Sequence, residues 1–277
     1  MEYWLAWLHE NNNGDDVKAI AREAEALGFT GVALSDHVAL PKAQKSRHPT
    51  RGIPYDPAIP NIEPITTIAV MSAVTEELRF MTYAYVMGMR DPFTVAKQTA
   101  ALADLSKNRF ALGITPGWNT DEIALLGHNP KTRGARFVES IEIIKGLWNN
   151  DLFSYEGEHY RFKDVGITPR PARPPEIYIG GNSPIAIKRA AANSGWIGMN
   201  HPLGELEELL GTLDELSGGK AQKYVMAAEK LGDDYLRRLE DLGIRGLVLM
   251  PWADKAQPAG DLDIKLESMR QAAGFWR

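Results

Sequence analysis

The sequence predicts an α/β protein, a (β/α)8 (TIM) barrel with loop insertions, on three observations. Eight short apolar runs alternate with eight helical segments. Several of the runs stop abruptly at Gly, Pro, Asn or Asp. A chain of 277 residues suits one closed barrel of eight units better than an open doubly wound sheet. Such alternation forces parallel strands with covering helices.

The first strand is Tyr3 to Leu8, stopped by Asn11, Asn12, Asn13 and Gly14. Asp15 and Asp16 open a helix whose apolar positions Val17, Ile20, Ala21, Ala24 and Leu27 share one face, with Gly28 as C-cap. Strand two, Gly31 to Ser35, ends at Asp36 and His37. Prolines and basic residues then break the pattern from Val38 to Pro60. That is too long for a simple βα turn, so residues 38–60 read as an insertion or lid loop. A helix follows over residues 62–75, and strand three covers Leu78 to Val86. Asp91-Pro92 starts the next helix, through Ser106, because Pro fits the first turn behind an Asp cap.

Strand four, Phe110 to Ile114, breaks on Pro116 and Gly117 and leads into a helical segment carrying Asp121 and Glu122. On the helix from Arg133 to Trp148, Arg136 and Glu139 are spaced for an ion pair. Asp151 to Phe162 reads as a hairpin turning at Glu156-Gly157, followed by a Pro-rich run from Pro169 to Pro175. Residues 151–175 are thus a second insertion. Strand five, Glu176 to Ile179, runs into Gly180-Gly181-Asn182-Ser183-Pro184 and the helix Ile185 to Asn193. Strand six is Trp196 to Met199. The alternation ends with helix Gly204 to Leu216, strand Tyr224 to Ala227, helix Asp233 to Leu242, strand Gly246 to Met250 and helix Leu262 to Ala273. No composition shift marks a boundary, so residues 1–277 read as a single domain.

Composition narrows the function. With 44% hydrophobic and 24% charged residues the chain is an ordinary globular protein that can bury a large core. A net charge of −5 and the lack of a basic cluster argue against nucleic-acid or anionic-membrane partners. The absence of Cys excludes disulfides, thiolate metal sites and a cysteine nucleophile. No apolar run is long enough for a transmembrane helix, and the N-terminus lacks a basic leader, so the expected compartment is cytoplasmic. Among the six His there is no metal-ligand spacing such as HExxH, so no catalytic metal is expected.

Strand ends carry the candidate chemistry. In Gly180-Gly181-Asn182-Ser183-Pro184, two glycines allow close backbone approach and Ser183 can cap a helix whose free N–H groups favour an anion. The same five residues also suit a plain tight turn before a capped helix. His37 follows a buried strand and can exchange a proton near neutral pH, with Asp36 placed to orient it. Tyr83-Ala84 ends strand three, where the ring lines the mouth or joins the core. Beyond Gly117, Trp118 is a ring-stacking or lid residue and Asn119 a polar contact.

Four segments together resemble the bacterial luciferase-like flavin and deazaflavin oxidoreductases, closest to the branch that uses coenzyme F420. They are Ser35 to Pro41, Met89 to Trp118, Arg136 to Trp148 and Tyr178 to Ala191, in the family's order over most of the chain. The resemblance implies a (β/α)8 barrel, F420 or FMN as coenzyme, a small-molecule substrate, and a homodimer as in many members. It places His37 near the reactive ring face as the catalytic residue. It places Asp36, Trp118, Asn119 and Asp121 around the ring or its side chain, and Gly180, Gly181, Asn182 and Ser183 on the coenzyme phosphate. Tyr83-Ala84 matches a non-prolyl cis peptide that supports the ring in many members, although Tyr83 stands where the family often has a small residue. Trp118 stands where sugar-phosphate dehydrogenases of the F420 branch carry a carboxylate, which implies a different substrate here. The chemistry implied is hydride transfer between F420 and a small organic molecule. The alternatives are an FMN-dependent monooxygenase or a cofactor-free binding barrel.

Overall fold

The computed structural model of the protein describes residues 1–7, 13–48, 52, 55–229, 231–252 and 261–276. In chain order the elements begin β1 (Glu2–Trp7), α1 (Gly14–Ala26), β2 (Gly31–Leu34), α2 (Pro64–Ser72), β3 (Arg79–Thr82), β4 (Tyr85–Val86) and α3 (Pro92–Leu105). They continue with β5 (Phe110–Thr115), α4 (Thr120–Leu125), α5 (Arg133–Asn149), β6 (Phe153–Glu156), β7 (Arg161–Val165) and β8 (Ile177–Gly180). The remainder is α6 (Pro184–Ala191), β9 (Gly195–Gly198), α7 (Leu203–Ser217), β10 (Gln222–Met226), α8 (Asp233–Asp241), β11 (Gly246–Leu249) and α9 (Leu262–Ala273). Leu8, the expected last residue of strand one, lies outside the described residues.

The sheet runs β3-β2-β1-β11-β10-β9-β8-β5 and closes through pairing of β3 with β5. All eight of these strands are parallel. This is the (β/α)8 barrel the alternation predicts. Side chains alternate across the wall as the pleat requires. Leu5, Val32, Phe80, Leu112 and Val225 point outward into the layer shared with the helices. Trp4, Ala33, Met81, Tyr178, Tyr224 and Val248 fill the interior. Large rings dominate that filling, each removing about 150–250 Å² from water.

Strand three is not continuous. Between the pairs Met81–Ala111 and Tyr85–Ile114, this strand advances four residues while β5 advances three. The extra residue is a bulge at the barrel rim, and the Tyr83–Ala84 peptide within it is cis.

Local signals worked at the helix starts. Asp91 accepts from the Thr94 N–H at 2.8 Å and Pro92 takes the first turn of α3. The cap of α1 is Asn13, which accepts from the Asp15 and Asp16 N–H groups, and Gly28 follows the helix at φ +77°. The Arg136–Glu139 ion pair is not formed. Glu139 instead accepts the N–H groups of Glu158, His159 and Tyr160 and so straps the β6–β7 hairpin onto α5. Arg136 donates to Gly88 O at 3.0 Å. Backbone donors in a turn have no other acceptor nearby, whereas an exposed ion pair contributes little. Among the described residues no helix is long and apolar enough to cross a membrane.

Candidate active site

Asp36 and His37 follow β2 in sequence, and their side chains take different partners. Asp36 is 4% exposed and grips Arg90 with both oxygens, at 2.7 and 2.8 Å. Its Oδ2 also accepts the Val86 N–H at 2.8 Å. Arg90 lies 3.8 Å from the centre of the Tyr85 ring. Burial pushes the Asp36 carboxyl above its usual range, while Arg90 and the Val86 N–H pull it back. Burial also pushes the Tyr85 phenol up to about 12. Asp36 therefore ties the end of β2 to β4, across the bulge.

The carboxyl that meets His37 is Glu122. Its Oε2 lies 2.7 Å from His37 Nδ1, and its Oε1 accepts the N–H groups of Val38 at 2.7 Å and Ala39 at 3.1 Å. The Glu122 side chain is 1% exposed and that of His37 10%. The expectation that Asp36 orients His37 is thus corrected. Asp36 turns into the wall, and the partner comes from the loop after β5. Among the described residues His37 Nε2 makes no hydrogen bond to the protein.

Gly117 makes this reach possible. Its φ of +95° turns the chain sharply between β5 and α4, and a Cβ there would lie 2.5 Å from Val86 Cγ1. Asn119 then caps α4 through the Glu122 N–H at 3.1 Å, and its Nδ2 donates to Gln44 Oε1 at 2.9 Å. Asp121 accepts the Ser46 N–H at 2.7 Å and the Lys45 N–H at 2.9 Å, and these donors hold its carboxyl below the usual range. Ser46 Oγ and Thr120 Oγ1 share a hydrogen bond of 2.9 Å. The described part of the 38–60 loop is therefore bound to α4 by side-chain hydrogen bonds. Over the mouth, Trp118 packs edge-on to His37 at 5.9 Å between ring centres, and Tyr55 lies 4.6 Å from His37. His48 completes the cluster, 5.3 Å from Trp118.

The facing wall is built from backbone. The Tyr83 ring drops into the barrel interior, where its hydroxyl donates to Gly198 O and burial pushes the phenol far above its usual range. Ala84 remains at the rim beside Gly180, where an added Cβ would sit 3.3 Å from Ala84 Cβ. Gly181 takes φ +121°, and Trp196 Nε1 donates to its carbonyl at 2.7 Å. Ser183 Oγ accepts the Ala186 N–H and caps α6, with Pro184 in the first turn. Gly181, Asn182 and Ser183 are exposed.

Of the residues the sequence singled out, His37 and Trp118 come together, and Ala84 meets Gly180. Asp36, Asn119 and Asp121 face protein partners. Glu122, Arg90, Gln44 and Tyr55 were missed. For Glu122 a signal existed: a Glu three residues after an Asn cap is a capping-box position. Here that side chain reaches across to the β2 loop instead.

The luciferase-like monooxygenase family model matches residues 5–228. An uncharacterized protein of Mycobacterium tuberculosis (strain ATCC 25618 / H37Rv) is 33% identical over 244 residues, 83% of each chain. An F420-dependent glucose-6-phosphate dehydrogenase of Amycolatopsis mediterranei (strain U-32) is 31% identical over 186 residues, 66% of this chain and 52% of that one. An FMNH(2)-dependent dimethylsulfone monooxygenase of Pseudomonas putida is 35% identical over 141 residues, 48% of this chain and 38% of that one.

Proposed function

We propose, from the premise that the chain belongs to the luciferase-like monooxygenase family, that it is an oxidoreductase with a flavin-type coenzyme in the C-terminal mouth of the barrel. The favoured reaction is hydride transfer between coenzyme F420 and a small organic substrate. The observation that carries this reading is the His37–Glu122 pair, 2.7 Å apart and nearly enclosed at the mouth. With Nδ1 facing Glu122, the ring can give or take a proton at Nε2, as reduction or oxidation of a carbonyl–alcohol pair requires.

The chain's residues fit such a coenzyme. Gly180 and Gly181 leave a cradle that side chains would fill, and the exposed start of α6 suits a phosphate. Ala84 lines the rim beside them. Bound there, the coenzyme supplies the redox chemistry, hydride for F420 or oxygen activation for FMN. Trp118 and Tyr55 keep water from His37. Asp36 acts as a positioning residue for the rim, and Asn119 and Asp121 for residues Gln44 to Ser46 of the loop after β2. An FMN-dependent monooxygenase is the second reading, favoured by the dimethylsulfone monooxygenase relative. The F420 reading has the longer match, over 66% of this chain against 48%.

Titration of the purified protein with F420 and with FMN, oxidised and reduced, followed by fluorescence, decides between them. Micromolar binding of F420 with weaker FMN supports the favoured reading, and the reverse supports the monooxygenase. Rejection of both would leave a cofactor-free binding barrel and overturn the proposal.

A further inference from the structure

The third arc of the mouth, over β9, β10 and β11, carries side chains that the proton chemistry and the coenzyme cradle leave unused. Ile197, Tyr224 and Val248 point into the barrel. Two residues further along each chain segment, on the same side of the pleat, stand Met199, Met226 and Met250. Met226 belongs to the interior cluster at 7% exposure, and Met199 and Met250 are half-buried against it. Tyr224 pairs with Ile197, and Met226 pairs with Val248. Met199 and Met226 are therefore level neighbours, and Met250 stands one layer higher, toward the mouth.

This arc faces the groups already described. In the closed ring β3-β2-β1-β11-β10-β9-β8-β5, β9 lies four places from β2 either way round, directly across from the strand that leads to His37. On its other flank β9 pairs with β8, whose Gly180 begins the cradle. Tyr83 ties the arc to the far rim: its hydroxyl donates to the carbonyl of Gly198, the residue before Met199, and the adjoining Ala84 packs on the same cluster. A thioether is unbranched and polarizable, and it offers no N–H or O–H donor. Three of them make an apolar surface that can reshape around a hydrocarbon. A hydroxyl or phosphate group set against it would give up water and gain no partner.

We infer that Met199, Met226 and Met250 seat the hydrocarbon part of the substrate, and that the substrate is an uncharged carbonyl or alcohol compound bearing an alkyl or aryl group. This rests on the oxidoreductase reading above. The reacting carbon then lies between the methionine arc and His37, and the length of the apolar group sets affinity.

The test is an NMR titration of protein labelled with 13C at the methionine methyl groups, nine signals assigned by single Met→Leu variants. The protein is loaded with whichever of F420 and FMN it binds, and the probes are 2-butanone, 2-pentanone and 2-hexanone. The signals of Met199, Met226 and Met250 are expected to shift and saturate, while those of Met71 and Met269, buried outside the barrel wall, stay in place. Affinity should rise about three- to fourfold with each added methylene. Met199→Gln and Met250→Gln, each first shown to melt cooperatively, should flatten that rise, and Met199→Leu should restore it. No rise with chain length in the wild type would overturn the inference, as would an unaltered rise in both Gln variants or equal shifts at Met71 and Met269. If the protein binds neither coenzyme, the oxidoreductase reading falls, and the same titration on the protein alone still decides whether the arc takes a hydrocarbon. If a coenzyme binds and the three signals stay still, this inference falls by itself.

Discussion

On the β2–β5 side of the mouth, Asp36, Asp121 and Glu122 each hold at least two donors from the chain itself. On the β8–α6 side, Gly181, Asn182 and Ser183 stand exposed, and the side-chain bonds are the Ser183 cap and the Trp196 indole N–H on the Gly181 carbonyl. The first wall is fixed by carboxyl groups that cross from one loop to another, those of Asp36 and Glu122 buried. The second is shaped by glycine geometry and a helix start. Damage to the first should therefore reach stability and chemistry together. Damage to the second should touch ligand affinity and leave the rest. The walls also differ in what they offer: an imidazole held by a carboxyl on one side, bare N–H groups on the other.

The sharpest way to break this contrast is to remove Asp36. Asp36→Ala leaves the Arg90 guanidinium, whose side chain is 13% exposed, without its counter-ion. Loss of one partner of such a buried pair costs about 3–5 kcal/mol. Urea denaturation measures it. In the double variant Asp36→Ala with Arg90→Met, the loss should be smaller than the sum of the two single losses, because the orphaned charge is gone. A single variant within about 1 kcal/mol of wild type would mean that the crossing carboxyl groups do not hold this wall.

Glu122→Gln separates the two roles of the same residue. The amide oxygen can still accept the Val38 and Ala39 N–H groups, so stability should fall by about 1 kcal/mol or less. The amide nitrogen then faces His37 Nδ1 and forces the ring proton onto Nε2. Once the proposed substrate class is in hand, kcat should drop on the order of 10²-fold, with KM little changed and an altered pH profile. Glu122→Ala should add a loss of about 1–3 kcal/mol for the stranded N–H donors. Wild-type kcat in the Gln variant would reduce Glu122 to a loop fastener.

Periodicity and caps made the barrel legible: an apolar strand, a helix face and an Asp-Pro start are local, and the Asp91 cap and the Gly28 turn stand where local rules put them. The apolar run from Leu78 to Val86 reads as one unbroken strand in the sequence, because no spacing of apolar residues announces a one-residue bulge. His37 and the Gly180 to Ser183 turn were readable because strand ends in an alternating chain point to one rim. The partner of His37 was not. Asp36 is its neighbour in sequence, but Arg90 and the Val86 N–H claim the Asp36 carboxyl, and the carboxyl that meets His37 is 85 positions away. Arg136 and Glu139 failed for a related reason, since spacing on one helix cannot reveal the turn that competes for Glu139.

The smallest expected effect tests the backbone-built wall. Ser183→Ala removes the cap of α6, worth about 1 kcal/mol of stability, and a hydroxyl beside the proposed phosphate position. The first N–H groups of α6 and the glycine backbone stay in place, so coenzyme binding should weaken by about tenfold and not vanish. At saturating coenzyme, kcat should equal the wild-type value, because His37 and Glu122 are on the other wall. Fluorescence titration and steady-state rates at two coenzyme concentrations separate these terms. If kcat itself fell while coenzyme affinity held, the division of labour between the walls would be wrong, and α6 would have to act on the reacting atoms instead of on the phosphate.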